Sequence, residues 1–199
     1  MRGLDRIEVG ADFLLCAALL FFLDRDGLVP MVLVSCALHE LGHWVVIEAL
    51  GGRVTLLRLS CAGAELRLSH ARRPSPGRLL LSALAGPAVN LLLAFAAAGL
   101  ARIGAGPRLY LFAGLNLGLA LFNLLPARWL DGGKILWCGA ALLGSERLGE
   151  RLADVGTAAV CVLLIGAGGA LLWQSGGRNF TLLLAALWAL VMARRDAAL

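Results

Sequence analysis

Long runs of apolar residues, separated by short polar segments, dominate the chain. A transmembrane α-helix needs about 20 mostly apolar residues. Six runs approach this length, near residues 8–23, 29–50, 78–101, 109–125, 153–173 and 180–193. The pattern therefore predicts an all-α polytopic membrane protein with about six transmembrane helices. We expect residues 1–199 to form a single integral membrane domain.

The segment after the second apolar run has a different pattern. Apolar and polar residues alternate strictly over residues 64–69 and less cleanly over residues 53–60, with a turn at 61–63. Alternation of this kind is typical of a strand with one apolar face. We expect a short interfacial β-hairpin over about residues 53–69. The hairpin could cover the membrane face of the helices, or it could offer a strand edge that binds an extended peptide.

Composition and charge agree with a membrane location. The chain is 60% hydrophobic and 16% charged, with a net charge of +5, whereas a soluble domain is about 25% charged. If both termini are cytosolic, 14 of the 18 lysines and arginines lie on the cytosolic side, as the positive-inside rule requires. This placement accounts for the basic charge without a nucleic-acid partner. The five scattered cysteines form no disulfide framework and no cysteine zinc site.

The second apolar run contains the sequence HELGH at residues 39–43. Residues four apart lie on one face of a helix, so His39 and His43 can bind one metal ion, with Glu40 as general base for an attacking water. An ionisable residue at mid-membrane costs about 2.5–3.5 kcal/mol and usually has a function. The alternative is a buried polar cluster that only ties helices together.

A catalytic zinc ion usually has three protein ligands and an open position for water. His70, the remaining histidine, lies in a basic loop and is interpreted as an ordinary exposed residue. Asp131 is the better candidate, because Pro126 should end the fourth helix and irregular backbone at membrane depth must face protein or water. His43 should lie about 10 Å from the cytosolic end of its helix. The fourth helix ends on the same side, so Asp131 can meet the histidines.

Three motifs together resemble one family. HELGH at 39–43, AGPAVN at 85–90 and NLLPARWLDGG at 123–133 look like the site-2 protease family of intramembrane zinc metalloproteases, peptidase family M50. Their order and the six-span layout are similar to its sporulation factor IVFB-like branch. The resemblance implies that His39, His43 and Asp131 bind one Zn²⁺ per chain and that Glu40 is the catalytic base.

The resemblance also implies a function, a location and partners. It implies cleavage of transmembrane segments of membrane-protein substrates near the cytosolic face, a process called regulated intramembrane proteolysis. The implied location is a bacterial cytoplasmic membrane. The substrate helix must unwind before attack, because its carbonyls are held in hydrogen bonds. Neither the PDZ domain nor the CBS domain of some relatives fits in the chain, so we expect regulation by a membrane partner.

Two asparagines and two other functions remain open. Asn90 and Asn123 could form hydrogen bonds between helices, or they could position substrate or stabilise the oxyanion. A metal transporter should repeat metal ligands along several spans, and this chain has one cluster. A catalytically silent membrane scaffold would have no need of Glu40.

Overall fold

The computed structural model describes residues 6–61, 63–68, 74–104 and 106–196, so His70 and two residues of the predicted hairpin, 62 and 69, lie outside the described residues. The chain divides into two compact units, Met1–Phe122 and Asn123–Leu199. Its elements, in chain order, are β1 (Arg6–Val9), α1 (Ala11–Leu23), α2 (Leu28–Ala49), β2 (Val54–Ser60), β3 (Gly63–Leu68), α3 (Pro76–Arg102), α4 (Arg108–Asn123), α5 (Asp131–Leu142), α6 (Glu146–Gln174) and α7 (Thr181–Asp196).

Each predicted apolar run coincides with a helix, but the count of six spans is not established. Within the described ranges, three helices are long and apolar enough to cross a membrane: α2, α3 and α6. Two shorter apolar helices, Ala11–Leu23 and Thr181–Arg194, accompany them. The 22 residues of α2 extend about 33 Å at 1.5 Å per residue, which matches the hydrocarbon core of a bilayer.

The predicted hairpin is present, and a third strand extends it. β2 and β3 pair antiparallel, with Leu57 opposite Leu66. β1 pairs parallel on the other side of β2 and places Ile7 opposite Leu57, an element that the sequence did not predict. The turn of the hairpin is held to α1, because the backbone N–H of Cys61 donates to Asp12 Oδ2 at 2.8 Å.

In the first unit, α2 and α3 pack closely. Ser75 precedes α3 as its N-cap, and Pro76 occupies the first turn, where the missing N–H of proline costs nothing. A Cβ atom added at Gly42 would lie 3.0 Å from the carbonyl oxygen of Ala85 on α3 and 2.8 Å from a methyl carbon of Val89. Glycine at position 42 therefore permits this close approach of the two backbones.

The helices have small and polar residues inside and large apolar residues outside. The buried face of α3 is formed mainly by alanine, glycine, proline and Asn90. Leu15, Phe22 and Phe95 are 73, 85 and 72% exposed. Contiguous exposed apolar surface is rare on soluble monomers, so the distribution agrees with helices that face lipid.

The second unit contains a helix, α5, that the sequence did not predict. It begins at Asp131, directly after a turn in which the N–H of Ala127 donates to Leu125 O and the N–H of Leu130 to Ala127 O. Added Cβ atoms at Gly132 and Gly133 would collide with the carbonyl oxygens of this turn. The two glycines therefore pack α5 directly against the segment that leads into it.

Candidate metal centre

Helix α2 brings the two motif histidines together on its buried face. His39 is 5% exposed and His43 is 9% exposed. Their Nε2 atoms lie 3.1 Å apart, and the ring planes meet at 82°. Because the residues are one helical turn apart, this pairing is the arrangement that the HELGH spacing predicts.

Both Nδ1 atoms contact groups on α3. His39 Nδ1 lies 2.5 Å from Asn90 Oδ1, and His43 Nδ1 lies 2.6 Å from the backbone oxygen of Ser82. A backbone carbonyl only accepts, so His43 Nδ1 must carry the proton that it donates. Its Nε2 then presents a lone pair. Metal-binding histidines commonly hold their second nitrogen in this way.

The orientation of Asn90 determines which ring nitrogen of His39 carries a proton. The side-chain nitrogen of Asn90 donates to Asn116 Oδ1 at 2.8 Å and to the backbone oxygen of Ser35 at 3.3 Å. If the amide were flipped, its oxygen would face these two acceptors. Asn90 Oδ1 therefore points at His39 and accepts from Nδ1–H, which leaves the lone pair of His39 on Nε2.

The space in front of the two Nε2 atoms is kept open by Gly86. A Cβ atom added there would lie 2.6 Å from His39 Nε2 and even closer to His43 Nε2. Two nitrogens bound to one zinc ion at about 2.0–2.1 Å in tetrahedral geometry lie about 3.3 Å apart. The observed 3.1 Å separation and the two lone pairs fit a zinc ion.

Glu40 and Glu48 have different surroundings on α2. Glu40 is half-buried and directly follows His39. Glu48 accepts a hydrogen bond from Trp44 Nε1 at 2.8 Å, two turns after Glu40, close to the end of the helix at Ala49. The structure thus gives Glu48 a local partner away from the motif.

In the second unit, Asp131 is the first residue of α5 and is buried, with 3% exposure. Lys134 Nζ lies 3.1 Å from Asp131 Oδ1, and the lysine side chain is 57% exposed. A carboxylate is also stabilised in the first turn of a helix by the helix dipole. These two interactions stabilise a buried, ionised carboxylate, which is the form that binds a metal.

The segment before Asp131 is anchored to α6. Arg128 Nε contacts Asp154 Oδ1 at 2.5 Å, and the backbone N–H of Arg128 donates to Thr157 Oγ1 at 3.0 Å. An added Cβ atom at Gly156 would collide with the carbonyl oxygen of Pro126. Polar residues in this segment therefore hold it against α6.

The two asparagines singled out in the sequence have different positions. Asn90 is wholly buried in the first unit and contacts His39. Asn123 is half-buried at the end of α4. Sequence reasoning missed Ser35, Ser82, Gly86 as a spacer and Asn116. The one available signal for Asn116 was an amide side chain within an apolar helix.

Comparisons with known proteins agree with this chemistry. Residues 96–167 match the model of peptidase family M50. The zinc metalloprotease MJ0392 of Methanocaldococcus jannaschii is 33% identical over 53% of this chain and 32% of its own length. The stage IV sporulation protein FB of Bacillus subtilis is 32% identical over 59% of this chain and 40% of its own length. The chain thus spans well under half of these curated relatives.

The fold is also shared with a solved structure. The site-2 protease from Methanocaldococcus jannaschii matches with a TM-score of 0.68, covers 95% of this chain and 89% of the solved one, and is 24% identical. The sequence motifs, the family model over residues 96–167 and the curated relatives all indicate similarity to one family. The matched part of the chain therefore resembles peptidase family M50, the family of the site-2 proteases.

Proposed function

We propose that this protein is an intramembrane zinc metalloprotease that cleaves transmembrane segments of membrane-protein substrates near the cytosolic face. The observation that carries the proposal is the pair of buried imidazoles on α2. Their Nε2 atoms face each other at 3.1 Å, and both Nδ1 atoms are engaged by α3. The match to the model of peptidase family M50 and relatives named zinc metalloproteases support zinc as the metal.

His39, His43 and Asp131 are the proposed zinc ligands. Catalytic zinc sites typically combine three protein ligands, and two histidines with one carboxylate form a known set. All three residues are buried.

Glu40 is the proposed catalytic base. It takes a proton from the attacking water and delivers it to the leaving amine. Its position next to His39 on a half-buried part of α2 supports this role, since the base must lie beside the ligand pair. When bound, zinc lowers the pKa of water and polarises the scissile carbonyl.

The substrate must present an unwound segment to this site. Within the described strands, the order is β1, β2, β3, so β2 is central and β3 has an outer edge. We propose that the unwound segment adds to that edge, where main-chain hydrogen bonds would replace those lost from the substrate helix. The alternation of residues 63–68 leaves one face of β3 apolar, which suits the membrane boundary.

The proposed topology has six spans with both termini in the cytosol, in a bacterial cytoplasmic membrane, and residues 1–199 form one membrane domain. The distribution of basic residues supports it. Single cysteines at position 3 and position 26, each in a cysteine-free background, should react differently with a membrane-impermeant maleimide in intact cells. Position 26 should be labelled and position 3 protected. Labelling of position 3 would contradict the orientation.

Zinc content tests the proposed site without knowledge of the substrate. Detergent-purified wild type should hold about one zinc per chain, and Asp131→Ala should hold far less. Asp26→Ala is the matched control, since Asp26 is an exposed aspartate between α1 and α2. Glu40→Gln should keep zinc but lose cleavage. Equal zinc in Asp131→Ala and wild type would exclude the third ligand, and a metal-free wild type would refute the proposed function.

A further inference from the structure

A network of buried hydrogen-bonding side chains connects α4 to His39. Asn116 on α4, Asn90 on α3 and Ser35 on α2 are 0, 0 and 1% exposed. Asn116 Nδ2 donates to Ser35 Oγ at 2.9 Å and to the backbone oxygen of Phe112 at 2.9 Å. Asn116 Oδ1 in turn accepts from Asn90 Nδ2. Three helices thus share one set of hydrogen bonds.

The donor and the acceptor of every hydrogen bond in this network can be assigned. The oxygen of Phe112 is a backbone carbonyl, so the Asn116 group beside it must be the donating nitrogen. Asn116 Oδ1 then faces Asn90, whose nitrogen donates and whose oxygen accepts from His39 Nδ1. Ser35 Oγ accepts from Asn116 and donates to the backbone oxygen of Met31 at 2.8 Å. Neither amide of the network, Asn90 or Asn116, can flip without placing two acceptors in contact.

We propose that Asn116 is a positioning residue for the metal centre, which acts through Asn90 to hold His39 in the tautomer with its lone pair on Nε2. Asn116 lies on α4, outside the three sequence motifs. Its described hydrogen bonds are to Asn90, Ser35 and Phe112 and not to a histidine. Buried hydrogen-bond networks that are fully satisfied specify one arrangement. The inference rests on the proposed zinc site but concerns a proton position that exists without zinc.

Asn116→Leu removes the shorter of the two hydrogen bonds that orient Asn90, leaves the bond of 3.3 Å to the backbone oxygen of Ser35, and retains a side chain of similar size. Asn90 can then turn its nitrogen towards His39, which favours a proton on Nε2 and blocks that atom as a ligand. Partners of metal-binding histidines contribute about 10–100-fold to metal affinity. Because Asn116 acts one hydrogen bond farther away, we expect about tenfold weaker zinc binding, measured by competition with a chelator in detergent.

A double-mutant cycle separates positioning from packing. If Asn116 acts through Asn90, Asn116→Leu should weaken zinc binding in wild type but have no further effect in an Asn90→Ala background. Ala113→Leu introduces the same side chain one turn earlier on the buried face of α4 and should leave zinc affinity unchanged. Additive losses, or an equal loss in Ala113→Leu, would overturn the proposal. If Asn116→Leu fails to fold, Asn116→Ala takes its place in the same cycle.

The tautomer itself is measured in the metal-free full-length protein. With ¹⁵N-labelled histidine at pH 8, wild type should show a protonated Nδ1 for His39, and Asn116→Leu should show a mixture of protonated and unprotonated Nδ1. An unchanged tautomer in Asn116→Leu would refute the inference. This readout remains decisive if wild type binds no zinc, in which case the proposed function fails separately.

Discussion

A single methyl group at position 86 should abolish metal binding. In Gly86→Ala the new Cβ would lie 2.6 Å from His39 Nε2 and closer still to His43 Nε2. Ordinary van der Waals contact begins at about 3.4 Å, so His39 must move by roughly 0.8 Å even before His43 is considered. Metal sites tolerate errors of about 0.2 Å in ligand distance. The displacement exceeds this tolerance about fourfold.

The imidazoles have little freedom to make that movement. Each is buried, and each Nδ1 is held at 2.5 or 2.6 Å by a group on α3, the helix that carries the new methyl group. Overpacking of this kind costs about 1–3 kcal/mol of stability, partly offset by about 0.5–1 kcal/mol from replacing a helical glycine by alanine. We expect zinc affinity to fall about 100-fold or more, since the change displaces two ligands together.

Gly99→Ala is the matched control, because Gly99 lies on the same helix and an added Cβ there would meet no atom within 4 Å. It should retain about one zinc per chain and should unfold at the same or a slightly higher temperature. Zinc is measured by elemental analysis and by chelator competition, with helix content checked by circular dichroism. Wild-type zinc affinity in a folded Gly86→Ala protein would refute the assignment of both Nε2 atoms as ligands.

Two further predictions concern the sheet and the start of α2. Leu66→Pro removes a backbone N–H from β3 and should abolish cleavage while zinc stays bound. The control Leu66→Ala should remain active. Loss of zinc from Leu66→Pro would instead indicate a structural role for the sheet. The N–H groups of Leu28 and Val29 donate to Asp24 at 2.9 Å and lower the pKa of that carboxyl below its ordinary value. The stabilisation is therefore present above the pKa of the unfolded carboxyl and is lost as the pH falls through the folded pKa. Asp24→Ala should therefore unfold at a lower temperature than wild type at pH 7, and this difference should shrink as the pH falls through the folded pKa, with Asp26→Ala as control. A difference that stays constant down to the lowest pH at which wild type remains folded would exclude the ionised carboxylate as the stabilising acceptor.

The long apolar helices could be predicted from sequence because a bilayer imposes both length and composition on them. The helix α5 could not. Its approach, with Pro126, Gly132 and Gly133, has the residues of a loop, since proline and glycine usually interrupt helices. In the structure, the two glycines lie inside the helix because carbonyl oxygens of the preceding turn occupy the space of any side chain. Only tertiary contact distinguishes a glycine that ends a helix from one that packs it.

The candidate site, like the fold, has some features that the sequence predicts and others that it does not. The HELGH spacing predicts the pairing of His39 and His43 because both residues lie on one helix, where geometry is local. Asn116 belongs to no motif, and its partners Asn90 and Ser35 are 26 and 81 residues away in sequence. β1, with four residues, is too short for its alternation to be significant. Contacts between distant segments were therefore the part that the sequence could not supply.

The alignment of the two imidazoles depends on the register of α3 against α2. His39 meets Asn90 while His43 meets Ser82, so the helices run antiparallel, and Gly86 lies midway between the two contacts. Ser82, Gly86 and Asn90 are spaced by four and so share one face of α3. A slip of α3 by one turn, about 5.4 Å, would exchange an acceptor for glycine and a spacer for a side chain. Any change that moves α3 along α2 therefore disturbs both proposed ligands at once, so the packing of these two helices is part of the proposed metal site.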